Sequence, residues 1–170
     1  MPGILRCVTQ RVRWIRVLIV VVVLAAGLMA AGAWSPLPPG WDGVTLCYPL
    51  VGPVQRFSHD LADTTRARIQ AHEDQHASDC RQRGALLHYL ERMRAPGRLR
   101  AESRANCAEA RQQLALGRDA WHEQERLIDD LRYGYPWFRE QPDSVLRRAV
   151  RDACPDLAAA ADTAPGRLTR

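Results

Sequence analysis

The sequence predicts a small, mainly α-helical domain that is stapled by disulfides, carries a short extended arm and follows an N-terminal membrane helix. Residues 60–83 contain neither Pro nor Gly, and residues 99–131 contain Gly117 as their one weak point, so two long helices are expected. Residues 17–33 are apolar and uncharged, which is typical of a membrane segment. Four of the five cysteines lie beyond that segment, where disulfides can form.

The N-terminal segment has the charge order of a targeting sequence. Residues 1–16 contain arginines and no acid, and the apolar residues 17–33 follow them. Small residues at 31–33 fit a cleavage site, whereas Trp34 just beyond them would anchor a retained helix at the membrane interface. Residues 1–33 are therefore a signal peptide or a membrane anchor. The rest of the chain should face the periplasm from the inner membrane or lie outside the cell, and it is secreted if the segment is cleaved.

The charge of the chain argues against nucleic acid as a partner. Its 24 basic and 19 acidic residues give a net charge of +5, and there is no lysine. Four arginines and no acid lie within residues 1–33, so the exported part has a net charge of +1. Its arginines alternate with acids and form no basic patch, so no nucleic-acid footprint is expected.

A Pro-rich stretch separates the targeting segment from the helices. Residues 34–43 are predicted to form a stiff linker. Residues 44–51, with their β-branched and aromatic side chains, predict a short strand or extended arm, and Pro49 confines that strand to a sheet edge. The first helix should be capped by Ser58 or Asp60.

The helices have further boundaries marked by Gly and Pro. The first helix should end at Gly84 or run on to Met93, and residues 95–97 should form a turn before the second. The last helix is expected from about residues 142–144 to Cys154. The Ala-rich residues 155–170 are then predicted to form a flexible tail.

A His-Glu-x-x-His motif lies at residues 72–76, inside the first predicted helix. Residues four apart lie one above the other on a helix, so His72 and His76 can present two ring nitrogens to one metal ion. Glu73 lies beside that position without being forced to bind the ion. Two nitrogen ligands and a nearby carboxylate base suit a zinc hydrolase, so the motif predicts a Zn²⁺ site with Glu73 as the catalytic base. The alternative is a surface helix that carries two histidines and no metal.

A second acidic motif, Glu102-Ser-Arg-Ala-Asn106, lies downstream. A His-Glu-x-x-His helix followed by Glu-x-x-Ala-Asp or a close variant is the pattern of gluzincin-type zinc metallopeptidases, and residues 72–106 resemble it. The resemblance implies that both histidines and Glu102 bind zinc, and that the Glu of the first motif activates water. It also implies that Asn106 orients a ligand histidine from the second coordination shell.

The resemblance has departures and leaves alternatives open. Asp74 and Gln75 stand between the histidines, where the family usually has uncharged residues, and Asn106 replaces an Asp. Glu109 is the alternative third ligand. In the family an edge strand beside the cleft binds the peptide substrate. The arm at residues 44–51 would either take that part or simply pack on the helices.

The four exported cysteines predict two disulfides, for which three pairings are possible. We expect Cys80–Cys107, which would join the two helices that bear the predicted ligands, each about one turn beyond a ligand. The second bridge is then Cys47–Cys154, which would tie the arm to the last helix. A cysteine-ligated metal site is the alternative, although no pair has Cys-x-x-Cys spacing.

The other histidines and two tyrosines have less specific assignments. His122 completes an acid-x-x-His pair, as His76 does, and two such pairs are typical of a di-metal helical bundle; a solvated His122 is the favoured interpretation. Tyr133 and Tyr135 lie in a Gly–Pro turn and would either donate to a tetrahedral intermediate or cap the helical core. Surface positions are expected for two more histidines, His59 and His88.

Together these features predict an exported, membrane-anchored zinc peptidase that acts on a peptide or protein substrate. The alternative is a non-catalytic zinc-binding helical module tethered to the membrane. The small size of the zincin-like domain, residues 44–154, and the polar residues between the histidines favour that alternative. A third hypothesis is a helical scaffold without a metal.

Overall fold

The computed structural model describes residues 13–24, 27 and 36–163, and the chain divides into two units at Pro36. In the first unit, residues 13–24 are helical. Within the described part of the chain, no helix is both long enough and apolar enough to cross a membrane. Much of the predicted segment 17–33 lies outside the described residues, so the signal peptide or anchor stays a prediction.

The second unit begins with a β-hairpin, where the sequence predicted a single arm. Strands β1 (Gly43–Tyr48) and β2 (Gly52–Phe57) pair antiparallel, and the residues between them form the turn. The prediction of one extended stretch over residues 44–51 is therefore wrong beyond residue 48. Pro53 lies opposite Cys47, at a position where a strand does not need an N–H to bond its neighbour, so a proline is tolerated there.

Helix α1 (Asp63–Met93) carries the His-Glu-x-x-His motif. It starts after Ala62 without a side-chain cap, so the predicted capping by Ser58 or Asp60 is wrong. Gly84 has φ 75° and ψ 160°, which breaks the helix into two parts. This backbone conformation is accessible to glycine at little cost, so the chain changes direction at Gly84 and then continues as a helix to Met93.

The second long helix of the prediction is two helices. Helix α2 (Ala95–Ala115) follows α1 after a single residue. Residues 95–97 are therefore already helical, and the predicted interhelical turn at these residues is wrong. Gly117, with φ 82°, separates α2 from α3 (Ala120–Gly134). At the start of α3, the Asp119 carboxylate accepts a hydrogen bond from the backbone N–H of His122.

The C-terminal part is more ordered than the sequence predicted. A short 3₁₀ turn (Pro136–Phe138) leads to α4 (Asp143–Ala153) and then α5 (Pro155–Thr163). The flexible tail predicted for residues 155–170 is therefore wrong up to Thr163, and residues 164–170 lie outside the described residues. Helix α5 packs because Leu157 and its small apolar neighbours at three- to four-residue spacing lie on one buried face.

One contiguous apolar core joins helices α2 to α5. Its members are buried and in contact with one another. We call this set the apolar core, and it consists of Leu99, Cys107, Ala110, Leu127, Ile128, Leu131, Phe138, Leu146, Val150, Cys154 and Leu157. Phe138, the last residue of the 3₁₀ turn, belongs to this core. The mainly helical class is confirmed.

Two disulfides form among the four cysteines beyond residue 33, as predicted, but their pairing differs. Cys47 is bonded to Cys80 and Cys107 to Cys154, so the predicted pairs Cys80–Cys107 and Cys47–Cys154 are wrong. The pairing differs because Cys80 on α1 and Cys107 on α2 face different parts of the protein. Cys107 lies in the apolar core beside α4, whereas Cys80 packs under the hairpin with Cys47.

Candidate metal centre

The hairpin is fixed on α1 directly at the histidine motif. The hydroxyl of Thr45 donates to the backbone carbonyl of Glu73 at 3.0 Å. At Gly43, an added Cβ would lie 2.7 Å from the Cγ2 atom of Ile69, closer than packed atoms approach. The strand can therefore lie close against the helix because position 43 has no side chain. This contact places β1 along one side of the predicted site.

The two motif histidines lie on the same face of α1. The ring centroids of His72 and His76 are 4.9 Å apart in an edge-on arrangement. His76 is buried and His72 is half-buried. The one-turn spacing expected from the sequence therefore holds, and both rings turn inward toward α2.

Glu102 of α2 approaches both rings. Its Oε2 atom lies 3.5 Å from Nε2 of His72 and 3.3 Å from Nε2 of His76. Ligand atoms of the three residues all lie within 4.8 Å of one another. Ligands of a tetrahedral zinc ion, at about 2.0–2.1 Å from the metal, are about 3.3 Å apart, so the observed spacing is compatible with one ion.

Glu73 occupies the position expected of a base. The residue is 6% exposed, and its Oε2 atom is buried without a hydrogen-bond partner among the described residues. Glu73 lines a cavity of about 90 Å³ together with both histidines and Glu102. A buried carboxylate oxygen without a partner costs free energy, so it indicates a site that takes a polar group from outside the chain.

Glu109, the rival third ligand, is held elsewhere. Its Oε1 atom lies 2.8 Å from Nη1 of Arg126 and 3.3 Å from Nε of Arg68. Its other oxygen is 3.9 Å from His72, but from Nδ1 and not from the Nε2 atom that faces Glu102. The structure thus brings Glu102, and not Glu109, to the point where the two Nε2 atoms meet.

Arg92 is a site residue that the sequence analysis missed. Its Nη2 donates to Oε1 of Glu102 at 2.7 Å, and its Nη1 lies 3.2 Å from Nδ1 of His76. The first contact leaves Oε2 of Glu102 free to face the two rings. A guanidinium only donates, so Nδ1 of His76 accepts here and the ring proton is on Nε2. No local motif marks Arg92, because it reaches the site only through the change of direction at Gly84.

The charges of the cluster support one another. Burial alone would raise the pKa of Glu102, but the two histidines and Arg92 hold it well below the ordinary value. Burial opposes protonation of His72, yet the Glu102 carboxylate beside it raises the pKa of that ring. Burial dominates at His76 and lowers its pKa, despite the same carboxylate. Glu102 is therefore ionised at neutral pH, as a metal ligand must be.

Tyr135 also reaches the site, and Tyr133 does not. Tyr135 lines the small cavity and a wider one of about 360 Å³, which His72 and Glu73 also line. Burial and the nearby Glu102 carboxylate raise the pKa of Tyr135 well above its ordinary value, so its hydroxyl stays a proton donor. Tyr133 is exposed, 66%, which leaves Tyr135 as the tyrosine of the site.

Asn106 lines the wider cavity beside His72. It is buried, and its Nδ2 atom has no hydrogen-bond partner within the described part of the chain. Its role in orienting a ligand histidine therefore stays a prediction.

The remaining histidines divide between surface and interior. His59 is exposed, as expected, but His88 is buried and its ring centroid is 6.4 Å from that of His76. Burial, with Arg92 and His76 nearby, lowers the pKa of His88 to about 4. His122 is exposed and lies 2.9 Å from the carboxylate of Asp119, which agrees with the solvated interpretation.

Comparisons with known proteins add no relative to this geometry. No protein-family model, curated protein or solved structure matched the chain. The gluzincin resemblance of residues 72–106 is therefore neither confirmed nor contradicted by them, and the functional argument rests on the site itself.

Proposed function

We propose that this chain is an exported, membrane-anchored zinc-dependent peptidase. The observation that carries the proposal is the meeting of two imidazole nitrogens and one oxygen of Glu102, with the unpartnered carboxylate of Glu73 beside them. His72, His76 and Glu102 would hold the ion, and Glu73 would act as the base. Peptide or protein would be the substrate.

Zinc is the metal that this set of donors suits best. Two imidazoles and one carboxylate are the ligands of several catalytic zinc sites, which leave one position open. A zinc ion held there would supply a Lewis acid that activates water and polarises the peptide carbonyl. Nε2 of His76 can bind the ion only after its proton moves to Nδ1, so Arg92 would give up its contact with that ring and keep Glu102.

Glu73 would move the proton. Glu73 lines the small cavity and has one carboxylate oxygen without a partner, and this oxygen would accept a proton from the attacking water. It would then pass that proton to the amine that leaves. Tyr135 lines the same cavity with a hydroxyl that stays protonated, so it is placed to donate to the oxygen of a tetrahedral intermediate.

The outer edge of β1 would hold the substrate backbone. The backbone N–H of Ser58 donates to the backbone carbonyl of Asp42 at 2.9 Å, and this pair continues the strand register by one residue. Along an antiparallel pair, hydrogen-bonded and non-hydrogen-bonded residue pairs alternate. Since Asp42 and Ser58 are a hydrogen-bonded pair, the backbone N–H and C=O groups of Gly43 and Thr45 point away from β2. Both residues line the small cavity, so an extended peptide paired with them would pass the predicted ligands.

The test is a Glu73→Gln variant assayed on a mixture of unstructured peptides, with zinc measured on the purified full chain. We expect about one zinc per chain and a loss of turnover of roughly 100-fold or more, since general base catalysis contributes about that factor. The matched control is Asp74→Asn, which removes the neighbouring charge from a side chain that bonds Gln55 outside the cavity. Undiminished cleavage by Glu73→Gln would contradict the mechanism.

The second candidate is a zinc-binding module without catalysis. The narrowness of the cavity at the predicted ligands, about 90 Å³, favours it. Wild-type protein that binds one zinc per chain and cleaves no peptide would support this candidate over the peptidase. Protein with well under one zinc per chain would contradict both and support a helical scaffold.

A further inference from the structure

In the part of α1 after Gly84, polar side chains face the protein interior and apolar side chains face the solvent, the reverse of an ordinary surface helix. The inner face of this part carries His88 and Arg92 toward the predicted metal centre. Its outer face carries side chains that are 48–74% exposed and lie at the spacing of one helical stripe: Leu86, Leu87, Leu90 and Met93. We call these four residues the leucine face. Four large apolar side chains on one exposed stripe are unusual for a surface that contacts only water.

The leucine face continues into two shallow cavities. One, of about 810 Å³, is lined by three members of the leucine face, Leu87, Leu90 and Met93, together with Pro96 and Arg100. The other, of about 390 Å³, shares Pro96 and Arg100 and adds apolar groups of α4, among them Val145, which is 39% exposed. The exposed apolar surface therefore extends from α1 across the start of α2 to α4.

Arginines surround this apolar surface. The guanidinium groups of Arg94 and Arg148 form no hydrogen bond or ion pair with any residue that the structure describes. Arg100 lies 3.7 Å from Glu91, but that carboxylate also pairs with two further arginines. Its single negative charge is therefore shared among three positive charges. Asp152 is the acid at the far edge of the surface. The rim is therefore net positive.

We propose that the leucine face docks on a bilayer of anionic phospholipids. Its leucines and Met93 enter the boundary between headgroups and acyl chains, while Arg94, Arg100 and Arg148 contact lipid phosphates. Apolar side chains beside arginines with little or no counter-charge are the combination that binds anionic interfaces. A neutral apolar partner would leave Arg94 and Arg148 without counter-charges.

The chain itself supplies a reason for a membrane as the occupant. The proposal rests on the predicted anchor at residues 17–33, and not on the peptidase. Residues 34–42 can span at most about 30 Å, so an anchored chain keeps the second unit within that distance of the lipid. At such a distance a weak surface affinity is sufficient for docking, because the tether raises the local concentration.

Hydroxyl-radical footprinting of the full chain in lipid nanodiscs tests the proposal. Met93 is readily oxidised when exposed, and mass spectrometry measures its rate. We expect oxidation of Met93 and the three leucines to slow roughly threefold or more in phosphatidylglycerol discs relative to phosphatidylcholine discs. Leu116 is 72% exposed at the other end of α2, about 30 Å away, and its rate should be equal in both.

A charge variant separates this proposal from other occupants. Arg94→Gln combined with Arg148→Gln should remove the difference between the two lipids, whereas Arg118→Gln with Arg139→Gln, an equal change elsewhere, should preserve it. Equal Met93 oxidation in both lipids would overturn the proposal. So would protection that persists in detergent and grows with protein concentration, which would assign the leucine face to a second copy of the chain.

Discussion

The apolar core and the predicted metal centre lie on neighbouring faces of α2, and they differ in how completely their polar groups are paired. Leu99, Cys107 and Ala110 turn toward the apolar core, where every member is aliphatic, aromatic or disulfide-bonded. Glu102 and Asn106 turn toward α1, among buried charges and amides that are only partly paired. The first face stabilises the fold. The second face lowers the stability, because its polar groups are buried without the full set of hydrogen bonds that water would provide.

The comparison indicates which of the two regions is the candidate for function. Each region has one disulfide, so covalent bridging does not distinguish them. The regions differ in two features of the predicted metal centre: Glu73 has a carboxylate oxygen without a partner, and Arg92 contacts both Glu102 and His76. A helix interface that only stabilised the fold would need neither feature. Variants that affect one region and not the other should sharpen this division.

The largest effect is expected in the apolar core. Leu127 is completely buried at 0% exposure, so Leu127→Ala should lower the free energy of unfolding by about 2–5 kcal/mol through lost burial and an unfilled cavity. Urea unfolding with zinc removed by chelator measures it. The folded fraction should bind zinc as the wild type does. Loss of zinc binding with unchanged unfolding would show that the two regions are not separate.

The next effect concerns the choice of third ligand. Glu102→Gln should weaken zinc binding roughly 100-fold, about 2.7 kcal/mol, because a ligand is lost outright where a supporting residue alone costs 10–100-fold. Glu109→Gln is the matched control, since its carboxylate is held by Arg126 and Arg68. Competition with a fluorescent zinc chelator measures both. A greater loss with Glu109→Gln would reverse the assignment.

The smallest effect is a pH dependence from His88. This histidine is 3% exposed, and burial lowers its pKa from 6.5 to about 4. Between these values the unfolded chain binds a proton that the folded chain does not, so stability is full above about pH 6.5 and falls toward pH 4. The loss should be on the order of 1–3 kcal/mol.

The check is the difference between wild type and His88→Gln in urea unfolding from pH 7 to pH 4.5. The free energy of unfolding of the variant should not show the part of the decline that His88 causes. The plots of this free energy against pH for the two proteins should therefore converge or cross as the pH falls. Parallel curves would show that His88 titrates alike in both states. An exposed histidine provides the control: His59→Gln should leave the slope unchanged.

The local sequence pattern was sufficient to predict the parts of the site that lie on one helix. The spacing of His72 and His76 follows from helical geometry alone, so the sequence predicted that both rings would share a face. The mainly helical class and the presence of two disulfides also followed from composition and cysteine number. Glu102 was identified because a later acid accompanies this motif in a known family, and the structure places it beside both rings.

Tertiary packing decided what no local pattern contains. The pairings Cys47–Cys80 and Cys107–Cys154 depend on which face of α2 meets which neighbour, and spacing along the chain does not carry that information. Arg92 reaches Glu102 because Gly84 turns the chain. The ordering of α5 depends on the apolar core that receives Leu157. Helical periodicity determines faces within an element, whereas contacts between elements are selected by the free energy of packing the whole domain.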